Sequence, residues 1–230
     1  MVKYLVEFHK ADIFKPFKRM FGNPTAVHLA ALSGQLKILK YFLEEKQADV
    51  NAVNAFKEPI VFAAARRKHR DIIRYLFEER NADLTMTDVN GDNILYTTIK
   101  ENDLISMKYV LDEKKIPLDV SGKNKYGRAL LHLAAFFNNV SILSYLVEEK
   151  HADVNISDNK GQTPLHRAAY HNQTMACEYL IKHGANIMQE DENGTTPLQM
   201  TSSQNLTEYM ENALQKRNRR SVDLPTSSSL

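Results

Sequence analysis

The chain lacks most of the features that mark membrane proteins and disulfide-rich secreted domains. Among its 230 residues there is no Trp and a single Cys, Cys177, so no internal disulfide can form. No apolar run approaches the roughly 20 residues that a membrane-spanning helix needs, and the first residues contain no apolar segment typical of a signal peptide. The formal net charge of +2 argues neither for nor against nucleic acid as a partner.

Catalytic and cofactor motifs are absent as well. The sequence has no Gly-rich phosphate loop, no G-x-S-x-G and no H-E-x-x-H. Cys177 lies between Ala176 and Glu178 in a predicted helix, where a small buried side chain is expected rather than a nucleophile. We therefore predict that the chain is not an enzyme and has no catalytic residue, cofactor or metal.

What the sequence has is a repeat. A Tyr followed by two apolar residues recurs at intervals of 34 to 37 residues. The recurring residues are Tyr4, Tyr41, Tyr75, Tyr109, Tyr145 and Tyr179. Such a period is typical of stacked repeats, which favour a binding surface over a catalytic pocket. The apolar neighbours and helical spacing place these Tyr in the core rather than on a stacking platform for nucleic acid, so we predict no nucleic-acid partner.

A second motif precedes each of the later Tyr residues. Its best copy, residues 163–169, reads TPLHRAA, and weaker copies begin near residues 25, 58, 93, 129 and 196. Thr caps a helix start, and Pro fits the first helical position because no amide donor is lost there. The Ala pair keeps this first helix thin. A polar turn, an amphipathic second helix and an extended turn closed by Gly follow in most copies.

This pattern resembles the ankyrin repeat family over about residues 1–213. The resemblance implies an all-α ankyrin-repeat solenoid, in which helix-turn-helix units carry β-turn fingers. Residues 1–21 are predicted to hold the second helix of a partial repeat and an extended finger. Residues 22–213 would hold the repeats, the last one a degenerate cap, and residues 214–230 a basic, Ser-rich disordered tail. Because the sequence starts in mid-repeat, we expect a fragment of a longer protein.

Two departures from the ankyrin pattern stand out. Most second helices are followed by an acidic-basic extension such as Glu44-Glu45-Lys46, which predicts helices about one residue longer than usual. The first finger is also longer than the others, with its extra residues within 14–21. Its candidate contact residues, for a protein partner or a lipid surface, are Phe14, Phe17, Arg19 and Phe21. Equally, these aromatic side chains could fold back on the neighbouring repeats.

The repeated histidines do not indicate a metal site. His28, His132 and His166 occur once per repeat, and stacked helices lie about 10 Å apart, whereas a metal ligand must approach to about 2 Å. We predict instead that each imidazole ties backbone groups within its turn.

Binding is expected on the concave face that finger tips and first helices form in such an array. The candidate protein-binding residues occupy variable finger positions: Phe56, Lys57, Asn90, Lys125, Tyr126, Asn159, Lys160 and Glu192.

A basic run follows the last repeat. Arg217, Arg219 and Arg220 form R-x-R-R before a small residue, which resembles a furin-type processing site in a segment open to proteases. The other interpretations are a solvated basic helix end and a nuclear-localisation-like run.

An ankyrin array followed by such a site resembles the latrotoxins of spiders. That resemblance implies a secreted presynaptic neurotoxin that binds a protein receptor, assembles as a tetramer, associates with the target cell membrane, forms a cation-permeable pore and triggers transmitter release. The alternative hypothesis is a cytoplasmic ankyrin adaptor, scaffold or inhibitor that docks a protein partner on its concave face. Both hypotheses stay open at this point.

Overall fold

The computed structural model describes residues 2–7, 10–18, 20, 22–113 and 118–222. The chain forms two compact units, Met1–Asp119 and Val120–Leu230. Within the described residues all regular structure is helical apart from one isolated antiparallel bridge between Val53 and Pro59. The prediction of an all-α helical repeat is therefore confirmed.

Unit 1 consists of successive first and second helices. Its helices are α1 (Val2–Glu7), α2 (Ala26–Leu32), α3 (Leu36–Lys40), α4 (Ile60–Ala65), α5 (Arg70–Arg74), α6 (Ile94–Lys100) and α7 (Leu104–Lys108). The first helices α2, α4 and α6 pack on one another, and each also packs on the second helix that follows it. Fully buried Leu39, Ile72, Leu76 and Ile99 lie in the core that this packing creates.

Unit 2 repeats the same plan. Its helices are α8 (Leu130–Phe136), α9 (Val140–Ser144), α10 (Pro164–Tyr170), α11 (Thr174–Lys182), α12 (Pro197–Met200) and α13 (Gln204–Val222). The first helix α10 packs between α8 and α12, and the second helix α11 packs beside α9. The thin Ala faces make this approach close, since Ala134, Ala135, Ala168 and Ala169 are fully buried.

The first helices start where the sequence motif predicts. Thr163 and Thr196 cap α10 and α12, where their side chains accept hydrogen bonds from the backbone N–H groups of His166 and Gln199. Pro164 and Pro197 follow at the first helical position.

The acidic-basic extension forms a turn of π-helix at the end of the second helix. Helices α3, α5, α7 and α9 each continue into such a turn, in the order Tyr41–Glu45, Tyr75–Glu79, Tyr109–Glu113 and Tyr145–Glu149. With its turn, each of these second helices has ten residues, whereas α11, which ends before Gly184, has nine. The prediction of an extra residue is confirmed, and a single inserted residue is what a π turn accommodates.

The π turns carry the Tyr ladder. Tyr41, Tyr75, Tyr109 and Tyr145 are at most 9% exposed, which confirms the core prediction for these four residues. Tyr179 is half-buried, and the side chain of Tyr4 lies outside the described part of the structure. Their hydroxyl groups nevertheless reach a carboxylate of the preceding repeat: the Tyr75 hydroxyl donates to Glu44 Oε1 at 2.9 Å and the Tyr109 hydroxyl to Glu78 Oε1 at 2.7 Å. Glu44 and Glu78, each the first Glu of its extension, thus accept a hydrogen bond from the next repeat.

We predict that Tyr75→Phe lowers the free energy of unfolding by about 1 kcal/mol, because a half-desolvated hydrogen bond to Glu44 is lost while the ring stays packed. The measurement is urea unfolding followed by circular dichroism. Tyr170→Phe is the matched control, since Tyr170 is 65% exposed. An equal effect of both substitutions would contradict the assigned role of the Tyr75 hydroxyl.

The end of the chain corrects one predicted boundary. Helix α13 continues to Val222, so residues 214–222 are helical, and the predicted disordered tail is wrong for them. The first turns of the helix are held by Leu206 and Met210, which are fully buried. Past residue 213, Arg217 donates hydrogen bonds to the carbonyl oxygens of Ile181 and Ala185 at 2.7 and 3.0 Å. Residues 223–230 lie outside the described part of the chain.

Candidate protein-binding surface

Five of the described fingers are each built on one polar side chain. An Asn or Asp accepts hydrogen bonds from the backbone N–H groups two and four residues further on, which closes a tight turn. The residues in this role are Asn54, Asp88, Asn124, Asp158 and Asp191. A positive φ follows, at Gly in four fingers and at Lys57 in the finger that has no Gly.

Backbone hydrogen bonds link neighbouring finger tips within each unit. In unit 1, Val89 N donates to Phe56 O at 2.9 Å. In unit 2, Asn159 N donates to Tyr126 O at 3.1 Å, and Glu192 N donates to Lys160 O at 3.0 Å. The predicted binding residues are therefore at finger tips, and those of unit 2 form one continuous edge.

The predicted tip residues differ in how available their side chains are. Lys57, Lys125, Tyr126, Lys160 and Glu192 are exposed, whereas Phe56 and Asn90 are half-buried. Asn159 is exposed, but its amide donates to the carbonyl of Lys125 at 3.0 Å, so it helps to join two fingers. Contact of these side chains with a protein partner stays a prediction.

The three repeated histidines join consecutive repeats. Nδ1 of His132 accepts the N–H of Ala129 at 3.1 Å, and its Nε2 lies 2.9 Å from the carbonyl oxygen of Gln162, in the next repeat. His28 and His166 make the same pair of contacts. The predicted tie to backbone groups is confirmed, and it extends beyond the turn. Burial lowers the pKa of His28 and His166, and that of His132 to about 4.

Sequence reasoning missed an aromatic cluster on unit 2. Phe136 and Phe137 at the end of α8, and Tyr170 and His171 at the end of α10, make edge contacts with ring centroids 4.3 to 4.9 Å apart. Phe137 is 39% exposed and Tyr170 is 65% exposed. We call these four residues the aromatic patch. Their signal in the sequence is the pair that follows each Ala-Ala, which is Phe-Phe after residue 135 and Tyr-His after residue 169.

Basic side chains lie between the aromatic patch and the fingers. Arg167 of α10 contacts the buried carboxylate of Asp158 at 2.6 Å, and Arg128 Nε approaches the same carboxylate at 3.9 Å. Burial alone would raise the pKa of Asp158, but hydrogen bonds from Arg167 and two backbone N–H groups lower it. The guanidinium of Arg128 also lies 5.2 Å from the ring centre of Tyr126. The guanidinium groups of Arg128 and Arg167 thus both lie beside the carboxylate of Asp158.

Unit 1 has a cleft on the side formed by its fingers and first helices. The cleft has a volume of about 470 Å³ and lies between the extended first finger and α2, α4 and α6. Met20, Leu29 and Leu32 supply apolar walls, and Arg66 and Arg67 supply positive charge. Arg66 is held by an ion pair with the buried carboxylate of Glu58.

In the extended first finger, the two described Phe residues differ in whether they pack against the neighbouring repeats. Phe14 is 56% exposed, while Phe17 is 44% exposed and also borders an apolar groove of about 360 Å³ against α2 and α3. Phe17 therefore partly folds back, and Phe14 faces solvent. Arg19 and Phe21 lie outside the described residues. Contact of this finger with a partner stays a prediction.

The predicted processing site lies in α13. Arg217 is tied to the end of α11, Arg219 is exposed, and the helical backbone continues through Arg220. A protease that reads an extended chain must first unwind this segment. Cleavage at this site is therefore still a prediction.

Other candidate chemistry is limited in the described part of the chain. Cys177 is fully buried, and burial raises the pKa of its thiol to about 12. Among the described residues no group of three or more His, Cys, Asp or Glu side chains could hold a metal ion. Within the same ranges, no helix combines the length and apolar character that a membrane crossing requires.

Comparison with known proteins identifies the repeat. The family model for ankyrin repeats in three copies matches residues 1–88, 60–158 and 131–219. Over 84 residues the chain is 39% identical to ankyrin repeat domain-containing protein 53 of Mus musculus. This match covers 35% of this chain and 17% of that protein. Over 82 residues it is 33% identical to inhibitor of Bruton tyrosine kinase of Xenopus laevis, and this match covers 35% of this chain and 6% of that protein.

The same comparison shows how little of each relative is shared. Diacylglycerol kinase zeta of Rattus norvegicus is 34% identical over 100 residues, 41% of this chain and 10% of that protein. The chain thus corresponds to less than a fifth of the length of these relatives, and none of their names designates a toxin.

A solved structure supports the fold. The crystal structure of the ankyrin repeat domain of Bcl-3, a member of the IkappaB protein family, superposes with a TM-score of 0.67 over 91% of this chain and 90% of that one. At 18% identity this similarity concerns the fold alone. With the family model matched along nearly the whole length, the chain belongs to the ankyrin repeat family of protein-binding domains.

Proposed function

We propose that this chain docks a protein partner on the side of its repeats formed by fingers and first helices, and acts as an adaptor, scaffold or inhibitor. The observation that carries this proposal is the aromatic patch. Its rings are ordered by mutual edge contacts, and Phe137 and Tyr170 are exposed, whereas the other apolar side chains of the first helices are buried or half-buried. Exposed Tyr and Phe clusters are typical of the energetic centre of protein interfaces.

Two further observations favour this function over the toxin hypothesis. The relatives described above include a protein named as the inhibitor of a kinase, and none is named as a toxin. The run that suggested convertase processing lies in a helix, with Arg217 bonded to two carbonyl oxygens. The tetramer, the pore and the membrane association of the toxin hypothesis have no separate support in the described residues.

The experiment that tests docking is selection of binding peptides from a random display library on the full chain. We expect enriched peptides whose affinity falls at least about tenfold for the double variant Phe137→Ala/Tyr170→Ala, because interface aromatic residues contribute about 2 kcal/mol or more each. Ile105→Ala is the control, since Ile105 is 63% exposed but lies on a second helix of unit 1. Enriched peptides that bind the double variant as tightly as the original chain would contradict the proposal.

Localisation stays a prediction, secreted for the toxin hypothesis and cytoplasmic for the adaptor. The mass of the natural protein's carboxyl-terminal peptide separates the two. An end at Arg220 would indicate processing in the secretory route. A chain that continues uncut through Ser221 would support the cytoplasmic adaptor.

A further inference from the structure

We propose that the aromatic patch binds an acidic peptide segment that carries one or two large apolar side chains. This inference rests on the proposed docking function and adds the chemistry of the partner. It combines the exposed rings with the distribution of charge over the fingers of unit 2.

The rings provide an anchoring site for apolar side chains. Phe136 contacts both Phe137 and His171, with ring centroids 4.8 and 4.3 Å apart, and Tyr170 contacts His171 at 4.9 Å. Because the rings are already in contact, an arriving Leu, Phe or Tyr meets an ordered apolar surface and loses little conformational freedom in the protein.

The charges beside the rings select an acidic partner. Residues 120–128 hold three cations, Lys123, Lys125 and Arg128, and no carboxylate. The next finger and helix, residues 153–170, hold two cations, Lys160 and Arg167, and two carboxylates, Asp153 and Asp158, and Lys160 at the tip is exposed. Residues 120–136 and 153–170 together thus hold five cations and two carboxylates. This excess of positive charge attracts Asp and Glu side chains.

The third finger of unit 2 limits the length of the acidic segment and argues against nucleic acid. Residues 189–195 hold Glu190, Asp191 and Glu192 and no cation. A nucleic acid strand needs a positive track along its phosphates, and here the cations of the first two fingers and their helices do not continue into the third finger. A short acidic segment of a protein can contact the first two fingers without reaching the third.

The geometry sets the spacing between acid and anchor. Helices α8 and α10 have seven residues each, so about 10 Å separates the finger base from the patch at the helix end. An extended peptide covers about 3.3 Å per residue, and so its acidic residues should lie about three to five positions from the apolar anchor.

The test uses the enriched peptides of the display selection, synthesised with a fluorescent label, and the full chain. We expect Asp or Glu three to five positions from Leu, Phe or Tyr. We also expect at least fivefold weaker binding in 0.5 M than in 0.05 M NaCl, since screening weakens charge attraction. Lys160→Glu should weaken binding about tenfold. Lys37→Glu, an exposed Lys on the second helix α3, is the matched control and should have no effect.

The other outcomes are distinct. Peptides that depend on Tyr170 but lack acidic residues, or that tolerate both salt and Lys160→Glu, would overturn the acidic partner while docking stands. Peptides that ignore Tyr170 would overturn docking on this patch, and the inference with it. A labelled single-stranded oligonucleotide that competes and shows the same variant dependence would overturn the peptide in favour of nucleic acid. A concentration-dependent dimer that Tyr170→Ala abolishes would assign the patch to a second copy of the chain.

Discussion

Mild acid is expected to destabilise this protein strongly, because three buried histidines are neutral in the folded state. Each of them accepts a backbone N–H at Nδ1, so the ring proton is on Nε2, where it is donated to the next repeat. A second proton would remove the acceptor at Nδ1. Burial lowers the folded-state pKa of all three, in His132 to about 4.

The direction of the pH effect follows from the difference between the folded and unfolded pKa values. A histidine whose folded pKa is below the unfolded value of about 6.5 binds its proton mainly in the unfolded state, so stability is full above pH 6.5 and is lost as pH falls toward 4. His132 alone should lower the free energy of unfolding by about 2 kcal/mol at pH 5 and about 3 kcal/mol below pH 4. His28 and His166 add to this loss.

The measurement is urea unfolding between pH 7.5 and 4.5 for the original chain and for His132→Gln. The chain itself supplies the model for this substitution, since Gln199 occupies the equivalent position and its Oε1 accepts the N–H of Thr196 at 2.9 Å. We expect a shallower pH dependence in His132→Gln. His151→Gln, at an exposed position, should follow the original curve. Parallel curves for all three proteins would show that the buried imidazole is not the acid-sensitive group.

The second large effect is expected at a finger of unit 2. Gly127 and Gly194 close equivalent turns with φ of +72° and +73°, so Ala at either site adopts the same unfavourable backbone conformation. They differ in their surroundings. A Cβ on Gly127 would overlap the backbone N and the side-chain oxygen of Asn159, whereas a Cβ on Gly194 would have no neighbour within 4 Å.

We therefore expect Gly194→Ala to cost about 1 to 2 kcal/mol of unfolding free energy, which is the cost of the left-handed backbone. Gly127→Ala should cost at least about 3 kcal/mol, because the fingers must also separate and break the 3.1 Å hydrogen bond from Asn159 N to Tyr126 O. Thermal and urea unfolding of both variants give the comparison. Equal losses would mean that contact between these fingers does not contribute to stability.

The repeat could be predicted from the sequence because its signals are local. A Thr cap, Pro at the first helical position, a buried Ala pair and a Gly at positive φ each determine the backbone within a few residues, and each recurs. The extra residue of the second helix could be predicted by comparing the repeats within the sequence, but its π-helical form could not. That form follows from the need to keep Ala48 as well as Tyr41 in the core, which requires contacts across the stack.

The hydrogen bonds at the helix ends show the extra residue directly. In the π-turn repeats Ala82 N and Ala152 N bond to the carbonyl oxygens of Leu76 and Leu146, six residues back. In the repeat with the ordinary helix, Ala185 N bonds to Leu180 O, five residues back.

The candidate site was less accessible to sequence reasoning. Finger tips can be located by the turn residues that precede them, and Tyr126 and Lys160 do lie there. The aromatic patch required knowing that the ends of α8 and α10 bring Phe136 and His171 together, although they are 35 residues apart in the chain. The helical course of residues 214–222 was hidden in the same way, because it depends on the carbonyl oxygens of Ile181 and Ala185.

The histidine and Tyr contacts hold each repeat of unit 2 at opposite ends. His132 and His166 bond near the start of the first helices, and the Tyr179 hydroxyl donates to Glu148 Oε1 at 2.8 Å near the end of a second helix. Each of these repeats is therefore fixed at the start of its first helix and near the end of its second helix. Phe137 and Tyr170 lie between these two fixed points, at the ends of α8 and α10. Binding there should therefore leave the backbone nearly the same in the free and the bound protein.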